Sequence, residues 1–387
     1  MNYLQSAQAL YEQMVRDRRH LHQHPEVGMD LPETCSYVMA RLTEMGYQPR
    51  RLGGGVTATV TGKPDGKVFL LRADMDALPM REESGLPFAS QRSCAHTCGH
   101  DMHTAMLLGA AQLLRDRAAE LNGTVKFMFQ PGEEVLSGAR SMIEAGILED
   151  PHVDAAMGAH MIPMIPAGLG GYGTGVVSAS SDHLVIRVEG RAGHGAHPQS
   201  TVDPINIGVH IHLALQELLS READPAELVV LTFGKFQGGD AANIIPSSAV
   251  LEGTLRTFSE PLRTHLLERI DTICTCTAEA FRGRAQVTDL CSTCSLQIDG
   301  DTAAAVAQGW QREGLKMLQQ GEKMSGSEDF AEIAARVPST FFVVGGGTAQ
   351  DGCGVSLHNP KIRFREEALI YGAAAYASGA AMWLELH

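Results

Sequence analysis

The sequence predicts an α/β main domain, with a mixed, largely parallel sheet flanked by helices, interrupted by a smaller α+β sandwich. Three observations carry this. Apolar strand-like runs alternate with stretches of helical periodicity up to about residue 160, the order that builds a parallel sheet. Between about 180 and 290 the order becomes strand, helix, strand, strand, helix, strand. The chain has 387 residues, and at about 100–200 residues per domain two domains are the default. The expected division is 1–178 for the first part of the main domain, 179–291 for the inserted domain and 292–387 for the second part.

Residues 3–20 carry apolar side chains at helical spacing, and Pro25 ends the helical stretch. A second helix is expected from Pro32 to Met45, closed by Gly46. VTATVTG (56–62) and KVFLLRAD (67–74) read as strands. A helix starts near His100 and runs to about Ala119. GTVKFMFQ (123–130) is the next strand, Glu133 to Glu144 the next helix, and VDAAMGAH (153–160) a further strand. In the inserted domain HLVIRVEG, ELVVLTFGKF and SAVLEGTLRTF read as strands, PINIGVHIHLALQELLS and PLRTHLLERIDTICTCTAEAF as helices, and a last strand comes after them. From about 291 the pattern returns to helix (TAAAVAQGWQREGLKML), strand (TFFVVGGG) and helix (EEALIYGAAAYASGAAMW). No fixed-period repeat or low-complexity tail is present.

Hydrophobic residues make up 44% of the chain, enough for a large core. Asp and Glu total 45 against 31 Lys and Arg, a net charge of −14. Such a surface repels phosphate backbones and argues against a nucleic-acid partner. The longest apolar run is far short of a membrane span. The opening MNYLQSAQALYEQMVRDRR lacks a basic start followed by an apolar stretch, so the cytoplasm is the expected compartment. Eight thinly spread cysteines suggest thiols or metal ligands rather than a disulfide framework. The 16 histidines raise the question of where they cluster.

Polar groups come directly after the apolar runs. Asp74 and Asp76 follow KVFLLRA, Gln130-Pro131-Gly132-Glu133-Glu134 follows GTVKFMF, and His160 ends VDAAMGA. Ligands in open α/β sheets sit beyond the carboxyl ends of strands, so these groups can converge on one rim. The richest segment is His96-Thr97-Cys98-Gly99-His100-Asp101-Met102-His103. Cys98 and His100 are two apart, and Gly99 permits a tight turn that lets both face one metal. Alone, the segment equally suits a buried cysteine beside surface histidines; beside Glu133-Glu134 and Asp74-x-Asp76 the metal reading is the better one. Adjacent glutamates point apart, so one can ligate while the other takes a proton from water. A Glu-Glu pair by itself also suits the first turn of a solvated helix.

LRADMDALPM (71–80), HTCGHDMHTAMLLGAA (96–111), QPGEE (130–134), GSEDF (326–330) and SLHNPKIRF (356–364), with RRHLHQHPEVG (18–28) before them, stand in one order. Together they resemble the aminoacylase/carboxypeptidase-type metallopeptidases, in the amidohydrolase branch typified by hippurate hydrolase and the plant indoleacetyl-amino-acid hydrolases. The resemblance implies that the main domain is catalytic. Cys98, His100, Glu134, His160 and His358 would hold two divalent metals, zinc, manganese, cobalt or nickel, with Cys98 bridging. Glu133 would be the general base, and Asp76 a carboxylate orienting a ligand histidine, a role open also to Asp101 and His103. The inserted domain would be a lid and dimerisation domain. His194, in Gly190-Arg-Ala-Gly-His-Gly-Ala-His-Pro198, would stabilise the oxyanion, in relatives at the partner's site, while His197 is structural. Asn243 and Arg256 would contact substrate, Arg256 through a free α-carboxylate, although a strand-surface arginine fits it equally well. QPGEE, the Val135-Leu136-Ser137 after it and the MIPMIP after His160 depart from the common pattern and bear on the acyl pocket rather than the ligands.

Other features weigh less. Cys291-Ser-Thr-Cys294 lacks a second pair and reads as ordinary thiols. Gly345-Gly346-Gly347 has no Walker-type lysine and reads as a loop. Ser327 is expected to cap a helix opening at SEDF. The function implied is metal-dependent hydrolysis of small N-acyl amino acids, hippurate-like or N-acetyl, by a homodimer formed through the lid. A dipeptidase or carboxypeptidase on short peptides and a non-catalytic metal-binding scaffold are the alternatives; the presence of Glu133 and every ligand weighs against the scaffold.

Overall fold

The computed structural model describes residues 2–319, 321 and 323–387. The chain forms two compact units. One comprises Met1–Val177, Gln297–Glu322 and Asp329–His387, the other Ser178–Leu296 and Lys323–Glu328.

The first unit opens with helices α1 (Tyr3–Ala9), α2 (Tyr11–Gln23) and α3 (Pro32–Glu44), then strands β1 (Arg50–Leu52), β2 (Gly55–Thr61) and β3 (Lys67–Asp74). Helix α4 (His100–Asp116), β4 (Gly123–Gln130), α5 (Gly138–Glu144), β5 (Ala155–Ile162) and β6 (Leu169–Tyr172) come next, and β7 (Gly175–Ser178) leads out. The second unit contains β8 (Ser181–Glu189), β9 (Gly193–His194), α6 (Pro204–Glu217), β10 (Val229–Gly238), β11 (Ile244–Ile245), β12 (Ser248–Thr257), α7 (Glu260–Ala280) and β13 (Arg284–Thr293). After β14 (Leu296–Ile298) the first unit resumes with α8 (Gly300–Glu313), β15 (Lys316–Gln319), α9 (Ala331–Ala334), β16 (Ser339–Gly345) and α10 (Ala368–Leu386).

The first unit's sheet runs β1-β2-β4-β3-β5-β16-β6-β15. Its centre, β4-β3-β5-β16, is parallel, while β1, β2 and β4 pair antiparallel, as do β16 and β6. Every residue of β4 and β16, and all of β3 but Lys67, is buried. Burial on both faces is why these strands read as continuous apolar runs instead of alternating. Helices α4 and α10 supply most of the core against them, through Leu107, Leu108, Leu114, Leu369 and Tyr376. Each such side chain contributes about 1.5–3 kcal/mol by leaving water. In the second unit four antiparallel strands run β10-β12-β8-β13. Alternate residues of β12 are buried, and α6 and α7 cover that face with Ile207, Ile211, Leu266 and Ile270.

Four local expectations are corrected. The first helix breaks at Leu10, so 3–20 is two helices. The helix expected from Glu133 begins at Gly138, because Leu136 takes a left-handed φ of 50° and residues 133–136 form a turn. Helix α8 stops at Gly314, whose φ of 76° caps it, and Lys316–Gln319 continues as strand β15. Ser327 caps no helix: α9 starts at Ala331, and the Ser327 hydroxyl instead lies 3.4 Å from Arg256 Nη1. Among the described residues no helix is long and apolar enough to cross a membrane.

Candidate metal centre

The parallel strands β4, β3 and β5 end on one rim. Asp74 pairs with Gln130 across β3 and β4, and Arg72 with Gly158 across β3 and β5. The loops leaving these ends therefore carry Asp76, Glu133 and Glu134 to the same place as His160. Cys98 and His100 arrive from the start of α4. Gly99 makes that entry with φ 96°, which strains any other residue, and a Cβ there would press to 3.1 Å from the Phe364 ring. His358 is brought in by its own backbone: its N–H donates to the Thr97 carbonyl at 3.0 Å, and its φ is 59°.

Two triads result. Donor atoms of Cys98, His100 and His160 lie within 4.8 Å of one another, and so do those of Cys98, Glu134 and His358. Cys98 Sγ is common to both. It lies 3.3 Å from His160 Nε2, and His358 Nε2 lies 3.4 Å from Glu134 Oε1. Two donors each 2.0–2.3 Å from one tetrahedral ion stand about 3.5 Å apart, so the spacing suits metal ligation. Both ring nitrogens of His100 and Oε1 of Glu134 are buried without a well-formed hydrogen bond, their nearest opposite charges standing 3.4 Å or more away. Orphaned buried polar atoms are rare, and each costs about 1–3 kcal/mol unless something meets it. Burial holds the Cys98 thiol well above its ordinary pKa, opposed by His100. Burial disfavours charge on His100 too, but Asp74, Cys98 and Asp76 raise it well above its ordinary value. A divalent cation would relieve both, by taking the thiol as thiolate and supplying the positive charge the acids attract. The donor set fits such an ion.

The surrounding shell is ordered by carboxylates. Asp76 Oδ1 and Oδ2 accept the backbone N–H groups of Glu133 and Glu134 at 3.0 and 3.2 Å, and Oδ1 lies 3.4 Å from His100 Nδ1. Asp76 thus holds the glutamate turn as well as facing the histidine. Asp101 points elsewhere: Oδ2 accepts from Arg18 Nε and His22 Nδ1, each at 2.9 Å. His103 bonds Asp74 at 2.6 Å through Nδ1 and accepts the Met161 N–H at 2.8 Å through Nε2. Burial lowers the pKa of His103 to about 4, so its ring is neutral at physiological pH. His160 Nδ1 donates to the Met161 carbonyl at 2.7 Å, which leaves Nε2 as the lone-pair nitrogen facing Cys98. Glu133 is 6% exposed, with Oε2 3.8 Å from His100 Nε2.

Sequence reasoning missed the group beneath the rim. Arg72 is fully buried and donates to Gln130 Oε1 at 2.9 Å, Asp74 Oδ2 at 2.7 Å and Asp329 Oδ1 at 2.8 Å. An arginine inside the apolar run KVFLLRAD is the available signal, because a buried charge demands partners.

In the second unit, β9 and β11 pair His194 with Ile244, and the Asn243 carbonyl accepts the Gly195 N–H at 2.8 Å. The Ala196 N–H donates to His194 Nδ1 at 3.1 Å, so the ring proton sits on Nε2 of this exposed residue. His197, 5.5 Å away by ring centroids, is exposed as well. Arg256, on β12, has Nη1 3.3 Å from the Ser325 carbonyl. Cys291 and Cys294 form no disulfide and are half-buried.

Residues 70–381 match peptidase family M20/M25/M40. An N-acetylcysteine deacetylase of Bacillus subtilis is 35% identical over 381 residues, spanning 97% of this chain and 98% of that protein. An IAA-amino acid hydrolase of Arabidopsis thaliana is 36% identical over 383 residues, spanning 97% and 86%. A Bacillus subtilis structure described as a dinuclear metal-binding peptidase of family M20 superposes with a TM-score of 0.82 at 33% identity, covering 98% of this chain and 99% of that one.

Proposed function

The chain belongs to peptidase family M20/M25/M40, and from that premise we propose how its residues act. It is a metal-dependent hydrolase of the amide bond in N-acyl amino acids, yielding a carboxylate and a free amino acid. The observation that carries the residue assignment is the pair of triads sharing Cys98 Sγ. Cys98, His100 and His160 would hold one divalent ion, and Cys98, Glu134 and His358 the other. Zinc matches the sulfur and nitrogen donors, and manganese, cobalt or nickel can take the same set.

Ions held at these triads would supply Lewis acidity for the scissile carbonyl and lower the pKa of water. Glu133 takes a proton from the attacking water as the new O–C bond forms. It returns that proton to the amine as the C–N bond breaks. The Asp76 clamp on the backbone of Glu133 and Glu134 lets one carboxylate ligate while its neighbour stands off as base. His194, with its proton on Nε2, is the donor assigned to the developing oxyanion. Asn243 orients the substrate, and Arg256 receives the α-carboxylate of the amino acid.

The second unit supports a homodimer. Strand β10 is an edge of its sheet. Val230 and Phe236 on β10, and Val209 and Leu213 on the neighbouring α6, are exposed, Leu213 by 60%. An unpaired apolar edge invites pairing with another copy. Leu213→Glu with Phe236→Lys is expected to yield monomers in light scattering; an unchanged mass refutes this interface.

The experiment on function is a substrate panel read by mass spectrometry. N-acetyl, N-benzoyl and long-chain N-acyl amino acids and dipeptides are offered to zinc- or manganese-loaded protein. Free amino acid from the acylated members is expected. Cleavage of dipeptides alone makes the protein a peptidase, and no product with either metal refutes the reading.

A further inference from the structure

We propose that Asp74 and His103 are positioning residues for His160: together they fix the Met161 peptide against which the His160 ring is set, and so set where its Nε2 meets the metal. The inference rests on the assignment of His160 as a ligand.

The chain of contacts is continuous, and buried up to the half-buried His160. Arg72 Nη1 donates to Asp74 Oδ2 at 2.7 Å. Asp74 Oδ1 accepts His103 Nδ1–H at 2.6 Å. His103 Nε2 accepts the Met161 N–H at 2.8 Å, and the Met161 carbonyl accepts His160 Nδ1–H at 2.7 Å. Met161 is thus held at both ends, by one histidine at its amide and another at its carbonyl. The two rings meet edge to face, centroids 4.6 Å apart. His103 is the fourth residue of α4 and His160 lies near the end of β5, so the pair also ties helix to strand at the rim.

Direction is what makes this more than packing. Asp74 is an acceptor at both oxygens, and that fixes His103 with its proton on Nδ1 and a lone pair on Nε2. Only this tautomer can receive the Met161 N–H. The other two carboxylates near the start of α4 are committed elsewhere, Asp76 to the glutamate turn and Asp101 to Arg18 and His22. Outer partners that orient a ligand imidazole typically change metal affinity or activity about 10–100-fold when removed.

The test is Asp74→Asn. With its oxygen toward His103, the new amide nitrogen faces Arg72, donor against donor. With its nitrogen toward His103, the imidazole shifts its proton to Nε2 and faces the Met161 N–H, again donor against donor. Calorimetric metal titration and the visible spectrum of the cobalt form are read beside thermal melts. Asp74→Asn is expected to weaken one ion about 10–100-fold, leave the other unchanged and alter the cobalt spectrum. His103→Ala is expected to do the same, and His103→Gln, whose amide oxygen can still accept from Met161, to recover part of the loss. If Asp74→Asn does not fold, this comparison of the His103 variants decides. Thr104→Val removes the hydroxyl that donates to the Asp74 carbonyl at 2.9 Å; it is expected to lower the Tm with both metal affinities kept. Unchanged affinities in Asp74→Asn and His103→Ala, or an equal loss in Thr104→Val, overturn the proposal. His160→Ala separates the two layers: if it leaves both affinities intact, the ligand assignment itself has failed.

Discussion

The Asp76 carboxylate holds Glu133 by its backbone: Oδ1 accepts the Glu133 N–H at 3.0 Å, from 57 residues away in sequence. With Oδ2 on the Glu134 N–H, it fixes the turn that aims two neighbouring carboxylates differently. Asp76→Ala is expected to lower kcat at least tenfold while the melting temperature falls only modestly. Kinetics and a thermal melt on the same preparation check this; unchanged kcat removes Asp76 from the positioning of the pair.

Cys98 belongs to both triads, so its loss should be felt at two ions rather than one. Cys98→Ala is expected to reduce metal content from two ions per chain to one or none after dialysis. Elemental analysis decides, and full stoichiometry would take Cys98 out of the ligand set.

Arg72 neutralises two buried acids, with side-chain exposures of 0% for Arg72, 0% for Asp74 and 1% for Asp329. Removing one partner of a buried charge pair strands the others, at about 3–5 kcal/mol. Arg72→Met is expected to lower the urea midpoint sharply, or to prevent folding. A loss under about 1 kcal/mol would show that water reaches the cluster.

His22 carries a pH dependence. Burial pushes its pKa down, but Asp101 and Glu82 raise it above the ordinary 6.5. A raised value means that the folded state binds the proton more tightly. The stabilisation is therefore complete below 6.5 and is lost as pH rises through the folded-state value. The stability gap between wild type and His22→Gln should shrink in urea titrations as pH rises above the ordinary value of 6.5. A gap that widens with pH contradicts the assignment.

The central strands and the rim were legible because burial on both faces leaves continuous apolar runs that stop at polar residues. Cys98, His100, Glu134, His160 and His358 stand in recognisable local motifs, and the fold brings their donor atoms into two groups. The turn at Glu133 was not legible as a turn: its N–H groups are met by Asp76, a tertiary partner, and the local sequence suits a helix start. Strands β6 (LGGY) and β15 (KMLQ) were missed because they are short, one glycine-rich and the other exposed. Asp329 sits in a motif that looks like a helix start, and only the fold shows its carboxylate accepting from Arg72, Gln130 and the Ala139 N–H.

The most direct measurement is the turnover of Glu133→Gln on an N-acyl amino acid, with metal content determined on the same sample. Two bound ions and a kcat lower by about 10²–10⁴-fold, the usual worth of a general base, are expected. Turnover close to wild type with both ions in place would contradict the assignment of Glu133 and with it the mechanism.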